Sequence, residues 1–416
     1  MRIGILALAS HLALPLGCGQ RDAEGSPLSS ASASSTTPTI PAGVAPPLPT
    51  AASAVVAPAA SARPAPPRSR TGASCAPCLS HARPFDARSE AALARCLPLK
   101  TGQAKASTRC GEEGRALEDP SRLLDAVPAL DEPTIERVRR VAAKGKALGR
   151  NPRAFGVVGD SISVAYEFLT PLSSSRDRPL ALDPWAAEQL ALPGGGTVID
   201  WFRGQPVEIA QRSGKDARDS FAAYRAALVG ARASWPQSEG FAPLRELETR
   251  VSPAVAVVTF GANDAAFREA PPEALADEYE KATLGLVEAL EARGMVVVLS
   301  NEMRHGDQPG RKACPGEGAG SSDWQVAVAQ NATTARAAEL ACREHLPFID
   351  LRHALDGSTN FGLGPDAVHL SSHRQGAALF TKEGLDCGYN VRNFVTLLAL
   401  ARVVPHLANV YDSSSQ

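Results

Sequence analysis

A serine, an amide, a histidine and a carboxylate occur in this chain at positions that could support nucleophilic catalysis. Ser161 follows the segment FGVVGD, in which an apolar run stops at a Gly-Asp-Ser turn. Asn263 lies in the segment GAND at the end of a second apolar run, and Asp366 and His369 lie near the C-terminus. A serine becomes a nucleophile when a base takes its proton, and a histidine oriented by a carboxylate is such a base. The set therefore predicts serine-dependent cleavage of an acyl bond.

The spacing of these residues suggests a role for each. Asp366 precedes His369 by three residues, and on a tight turn or one helical turn such residues share a face. Cleavage also places negative charge on the carbonyl oxygen, where a preorganised donor is worth on the order of 3 kcal/mol. The side-chain amide of Asn263 and the backbone N–H of Ser161 are the candidate donors. Each motif alone is also typical of turns and helix caps, so the prediction depends on the complete set.

The elements around these residues predict an α/β fold. Short apolar runs indicate strands buried on both faces, and amphipathic or longer segments between them indicate helices. The predicted strands are 154–158, 207–210, 254–260, 295–300 and 346–351, and the predicted helices lie near 121–149, 216–229, 272–293, 323–345 and from about 394. Strands joined by helical crossovers imply a doubly wound parallel sheet of about five strands with helices on both faces.

Two of the motifs follow predicted strands directly. Gly159-Asp160-Ser161 follows the first strand, and Gly261-Ala262-Asn263-Asp264 follows the strand 254–260. In open parallel sheets, ligands bind beyond the carboxyl ends of the strands, which lie at one edge. We therefore expect Ser161 and Asn263 to lie close together at that edge.

The separated motifs resemble those of the SGNH hydrolases, also called the GDSL esterase/lipase family, over roughly residues 153–380. The resemblance implies a flavodoxin-like sheet and a serine esterase that needs no cofactor. It implies Ser161, His369 and Asp366 as the catalytic triad, with the Ser161 N–H and Asn263 in the oxyanion hole. The family usually adds the N–H of a glycine after the second strand. Gly214 is the best match to that glycine, and Gly194–Gly196 is a more distant alternative.

The expected activity is hydrolysis of carboxylic esters through an acyl-enzyme. The ester could be a small molecule or a glycan ester, and a small acyl group on a surface carbohydrate is the favoured substrate. Fold alone does not choose among the esters that such enzymes cleave. The alternative from another class is a non-catalytic envelope protein that binds a glycan or a partner on the same scaffold.

Composition argues against several other functions. The chain has 43 basic and 44 acidic side chains and a formal net charge of −1, which offers no electrostatic case for nucleic-acid binding. His369 and His373 have the spacing of a metal-binding pair, but Leu370 stands where the zinc-protease glutamate would be, so no metal site is predicted.

The N-terminus is typical of an exported protein. Residues 1–18 combine a basic start, a short apolar stretch and Gly17-Cys18, which is typical of a signal peptide and resembles that of a bacterial lipoprotein. Cys18 would then carry lipid and hold the protein at the membrane; the alternative is ordinary cleavage and a soluble secreted product. Residues 19–72 are rich in Ser, Ala and Pro, and they are predicted to form a disordered tether.

A cysteine-rich segment, 73–118, precedes the predicted hydrolase domain, 119–416. Four cysteines crowd this segment: Cys75, Cys78, Cys96 and Cys110. In an exported protein they are most simply two disulfides within the segment, while the spacing of the first two also allows a zinc site. Cys314, Cys342 and Cys387 lie in the main body.

Overall fold

The apolar runs that precede Ser161 and Asn263 form neighbouring strands at the centre of a parallel sheet. The protein is described by a computed structural model. The residues that it describes are 110–111, 116–174, 180–204, 219–266, 270–305 and 323–413. They belong to one unit, Arg70–Gln416.

The described elements alternate along the chain as expected for an α/β protein. The strands are β1 Asn151–Gly159, β2 Ala181–Leu182, β3 Ala226–Ala227, β4 Pro253–Thr259, β5 Val296–Ser300, β6 Phe348–Ile349 and β7 Leu379–Phe380. The α-helices are α1 Glu132–Ala147, α2 Ser161–Val164, α3 Pro184–Gln189, α4 Val198–Arg203, α5 Ala242–Val251, α6 Ala262–Ala265, α7 Pro272–Ala292, α8 Asp323–Arg343, α9 Leu351–Leu355 and α10 Gly388–Asp412. Short 3-10 turns occupy Pro120–Leu124, Thr170–Leu172, Ser220–Ala222, Trp235–Gln237, Thr359–Gly362 and Gly384–Asp386.

The main sheet has five parallel strands in the order β3-β1-β4-β5-β6. Numbered within the sheet, this is the order 2-1-3-4-5 of flavodoxin-like folds. Strands β2 and β7 form a separate parallel pair. The predicted fold class is confirmed, and the order reverses direction at β1, the strand that leads to Ser161.

Helices cover both faces of the sheet, which explains why its strands lack polar alternation. In β4, Val255 and Val257 belong to one buried apolar cluster, which includes side chains of α1 and α10. Ala256 and Val258 belong to the other, which includes side chains of α5, α7 and α8. Because successive strand residues point to opposite faces, a strand buried on both sides must be apolar throughout.

Helix α10 is long and apolar enough to cross a membrane by length and composition, with a mean hydropathy of 1.4 over its most apolar window. It is instead largely buried in the core, where it packs on α1 and the sheet. Burial in the core accounts for its apolar composition.

The structure departs from the predicted elements in two places. The helix predicted near 216–229 is wrong within the described residues, where a 3-10 turn and β3 replace it. The alanines there favour a helix locally, but pairing of Ala226 and Ala227 with the end of β1 determines the structure. The predicted strand 346–351 is reduced to β6, and the predicted strand 207–210 lies outside the described residues.

One disulfide joins the predicted cysteine-rich segment to the predicted hydrolase domain. Cys110 is bonded to Cys387, the residue that precedes α10, across 277 positions of sequence. The prediction that Cys110 pairs within its own segment is therefore wrong. Cys75, Cys78 and Cys96 lie outside the described residues, and Cys342 is buried.

Candidate active site

Ser161 begins the short helix α2, immediately beyond the carboxyl end of β1. The side chain of Asp160 caps this helix by accepting a hydrogen bond from the Ile162 N–H at 3.3 Å. Gly159 lets the chain turn tightly here, because a Cβ at that position would lie 2.2 Å from Ser163 Oγ. The turn therefore needs glycine and holds the serine at the edge of the sheet.

Three side chains form a hydrogen-bonded chain at this edge. His369 Nε2 lies 3.2 Å from Ser161 Oγ, and His369 Nδ1 lies 2.6 Å from Asp366 Oδ2. The side chains of His369 and Asp366 are 45% and 53% exposed, so the group opens to solvent. This geometry would allow the histidine to take the serine proton while the carboxylate fixes its tautomer.

The loop that carries Asp366 and His369 is ordered by its own hydrogen bonds. Asp366 Oδ1 accepts from the N–H groups of Val368 and His369 at 3.1 and 2.9 Å, and Gly364 N–H donates to His369 O at 2.7 Å. Partial burial acts to raise the pKa of Asp366, but hydrogen bonds from His369 and Val368 outweigh it and lower that pKa on balance. Asp366 is therefore an ionised acceptor at neutral pH.

Asn263 lies beside the serine turn, as the strand-end argument predicts. It is carried by the short helix α6 after β4, and its Nδ2 donates to Asp160 Oδ2 at 3.0 Å. Gly261, two residues after β4, has a φ of +140°, which L side chains rarely adopt. The second Nδ2 hydrogen of Asn263 is not used by Asp160 and could serve a developing oxyanion.

Buried acidic groups surround this turn. Burial raises the pKa of Asp160 to about 6, against the opposing effects of Arg392 and of the hydrogen bonds it accepts. Burial likewise raises the pKa of Asp264 to about 6, although both of its oxygens accept from the Ala233 N–H at 3.2 Å. Glu302, which follows β5, is buried in the same group.

Two buried arginines hold the chain that follows Ser161, and neither was identified from the sequence. Arg392 of α10 donates to Ile162 O at 2.6 Å and to Ser163 Oγ at 3.0 Å, and it lies over the Phe168 ring. Arg225 donates to the backbone carbonyls of Ser163 and Phe168. A charged side chain in the mostly apolar helix α10 was the available signal for Arg392.

Some predicted site residues lie outside the described part of the chain. Gly214, the predicted third oxyanion donor, lies within the undescribed range 205–218, and Cys18 lies in the undescribed N-terminal range. Within the described ranges, no group of three or more His, Cys, Asp or Glu side chains could hold a metal ion.

Comparison with known proteins identifies a family for this chain. A sequence profile of the GDSL-like Lipase/Acylhydrolase family matches residues 157–373, more than half of the chain, and the match spans Ser161, Asn263, Asp366 and His369. No curated protein matches the chain significantly.

Similar solved structures include the acetylxylan esterase Axe2 from Geobacillus stearothermophilus, at 14% identity over 59% of this chain and 93% of that chain, with a TM-score of 0.31. A catalytic mutant of Axe2 covers the same shares at 13% identity with a TM-score of 0.32. At this similarity, neither bears on substrate or mechanism. On the family match, the chain belongs to the GDSL-like lipase/acylhydrolase (SGNH hydrolase) family and is a serine ester hydrolase.

Proposed function

We propose that this protein cleaves carboxylic esters through an acyl-enzyme formed on Ser161. The observation that carries the proposal is the hydrogen-bonded chain from Asp366 through His369 to Ser161 Oγ. His369 takes the serine proton as Oγ attacks the ester carbonyl, and Asp366 stabilises the imidazolium. The imidazolium then protonates the departing alcohol. Water repeats the cycle on the acyl-enzyme and releases the acid.

The negative charge on the carbonyl oxygen is stabilised by donors already at the sheet edge. The Ser161 N–H lies in the first turn of α2, where helix N–H groups have no intrahelical partner. Asn263 Nδ2 supplies a second donor, and the N–H of Gly214 is proposed as a third. Donors held in place before the reaction need no reorganisation during it.

Hydrolysis of p-nitrophenyl acetate by the full chain tests this proposal. The unaltered chain and S121A, which changes an exposed serine, are expected to hydrolyse the ester at equal rates. S161A is expected to show no rate above that of buffer. Rates no higher than that of buffer for both S161A and the unaltered chain would favour the alternative of a non-catalytic binding protein, and equal rates above buffer would exclude Ser161 as the nucleophile.

The proposed substrate is a small acyl ester on a bulky alcohol, such as an acetylated surface polysaccharide. The exposure of His369 and Asp366 favours access by a large alcohol group, whereas a long acyl chain needs a covered apolar cleft. Leu228 and Val229 are exposed apolar side chains that follow β3, and the Leu228 N–H bonds to Gly159 O. They would offer apolar contact to the alcohol part beside Ser161.

The acyl preference can be measured directly. The proposal predicts that kcat/KM for p-nitrophenyl acetate exceeds that for the butyrate, and that the chain releases acetate from an acetylated polysaccharide. A preference for butyrate or longer esters, with no acetate released from the polymer, would contradict the proposed substrate while leaving the esterase activity intact.

We also propose that the protein is exported and anchored through lipid on Cys18. The support is the leader-like segment 1–18 and the Cys110–Cys387 disulfide, a bond typical of oxidising compartments. In a bacterium that processes lipoproteins, the unaltered chain is expected in the membrane fraction and C18A outside it. If the unaltered chain and C18A were found in the same fraction, the proposed lipid anchor on Cys18 would be contradicted.

A further inference from the structure

Glu302 lies at the catalytic edge of the sheet but has no part in the proposed reaction. It follows β5 by two residues and is 1% exposed. A Cβ on Gly261 would lie 3.2 Å from Glu302 Cγ, so the glutamate packs directly against the turn that precedes Asn263. Among the described residues, no N–H or O–H group donates to either oxygen of its carboxyl group.

The neighbouring acidic group is Asp160. Each of the two carboxyl groups shifts the pKa of the other, and Asp160 accepts hydrogen bonds from the Ile162 N–H and from Asn263 Nδ2. Two interacting buried carboxyl groups cannot both be ionised without a large cost, so the pair keeps one proton. Asp160 accepts hydrogen bonds from two N–H groups, whereas no described N–H group donates to Glu302. The charge is therefore more stable on Asp160 and the proton on Glu302.

The surrounding charges favour the same assignment. Burial and the Asp160 charge raise the pKa of Glu302 well above its usual value, and Asp264 adds to this effect. Arg392 opposes it but also favours the ionised form of Asp160. The pKa of the buried Tyr279 hydroxyl is raised too, so that group stays neutral beside the pair. One negative charge therefore faces Arg392.

We propose that Glu302 is a positioning residue whose protonated carboxyl group donates to Asp160, so that Asp160 in turn holds the Asn263 amide toward the oxyanion. The inference rests on the proposed role of Asn263. Glu302 does not touch substrate. Its O–H fixes the Asp160 carboxylate, and the carboxylate fixes one N–H of Asn263 so that the other points to the reacting oxygen. The proton stays on Glu302 throughout the cycle.

Kinetics of Glu302 variants in the full chain test this role. E302Q keeps an N–H donor for Asp160 and is expected to retain kcat within about threefold, whereas E302A is expected to lose roughly 10- to 100-fold in kcat with little change in KM. In an N263A background, E302A is expected to cost no further activity, because Asn263 is the group through which Glu302 acts. If Glu302 had only a structural role, E302A would lower kcat in the N263A background as much as it does in the unaltered chain.

The proton on Glu302 can be detected without an activity assay, by comparing the Tm of variants that all carry S161A. Between the ordinary Glu pKa of 4.5 and the raised value, the folded chain holds a proton that the unfolded chain has lost. Stability therefore falls as pH rises through that range. S161A/E302Q has no such group, so its Tm relative to S161A is expected to rise with pH above about 4.5.

The outcomes separate this inference from the proposed function. If S161A hydrolyses ester as fast as the unaltered chain, the proposed function fails, and the Tm comparison still tests the proton. If S161A is inactive, the inference is overturned by unaltered kcat in E302A, by E302Q falling as far as E302A, or by losses that multiply in E302A/N263A. Parallel Tm profiles for S161A and S161A/E302Q would overturn it as well.

Discussion

Asn263 Nδ2 donates a hydrogen bond to Asp160 Oδ2 across 3.0 Å, which joins the turns after two neighbouring strands. Asp160 directly precedes Ser161, so the residue that caps the helix of the proposed nucleophile also bonds the Asn263 amide. One carboxylate therefore fixes, relative to each other, the two groups that are proposed to act on the carbonyl carbon and on its oxygen.

Loss of the Asn263 amide should slow the chemical step. N263A is expected to lower kcat by about 10²- to 10³-fold with little change in KM, because the donor acts on charge that develops in the transition state. Steady-state kinetics on p-nitrophenyl acetate measure this. Q375A, which removes an exposed amide, serves as the control. A large rise in KM with kcat unchanged would indicate a role in substrate binding instead.

Neutralising Asp366 should leave the fold intact and remove the orientation of His369. D366N is expected to lower kcat by about 10³- to 10⁴-fold, since the histidine loses its tautomer and its stabilised cation. D356N, which neutralises an exposed partner of Arg304, should keep full activity. Comparable activity of D366N and D356N would show that Asp366 does not act as the carboxylate of a catalytic triad.

The lowered pKa of Asp366 also predicts a pH dependence of stability. A carboxylate with a lowered folded pKa stabilises the protein above its ordinary pKa of 3.8, and the contribution is lost as pH falls through the folded pKa. The Tm difference between the unaltered chain and D366N should therefore shrink below about pH 4. A difference that widens in acid would contradict this assignment.

Gly261 should not tolerate a side chain. G261A requires a non-glycine residue at a φ of +140° and places a Cβ 3.2 Å from Glu302 Cγ, so we expect a loss of about 1–3 kcal/mol in the free energy of unfolding. Gly194 is the matched control, because a Cβ there meets nothing within 4 Å. Chemical denaturation of G261A and G194A measures the difference. Equal stability of the two would show that the turn can relax.

Arg392 should be needed for stability. R392M leaves the Ile162 carbonyl without its donor and the Asp160 charge without its buried partner, so we expect a loss of about 3–5 kcal/mol. R402M, on the same helix, loses one long hydrogen bond to Leu124 O and should cost much less. Denaturation midpoints compare them, and a smaller loss in R392M than in R402M would contradict this role.

The sequence predicted the parts of the fold that are apolar without interruption. Strands β1, β4 and β5 and helices α7 and α8 are long enough for their pattern to identify them, and the strand-end rule brought Ser161 and Asn263 together. Strand β3 has two residues, so no pattern could identify it, and alanine-rich neighbours favoured a helix instead. Its formation depends on pairing with β1, which is a tertiary contact.

The buried charges around Ser161 could be predicted only in part. Glu302 follows β5 at the edge where ligands bind, so the rule that identified Asn263 could have identified it too. Arg225 depends on contacts with residues 55 to 62 positions earlier in sequence. The bond between Cys110 and Cys387 spans 277 positions, and spacing within the cysteine-rich segment favoured nearer partners.

The central claim is that Ser161 is a nucleophile activated by His369, and covalent labelling tests it most directly. The full chain is treated with a fluorophosphonate probe, and the modified peptide is identified by mass spectrometry. We predict one label on Ser161, no label in S161A, and a labelling rate reduced by several orders of magnitude in H369A. Labelling of another residue, or an equal rate in H369A, would contradict the account.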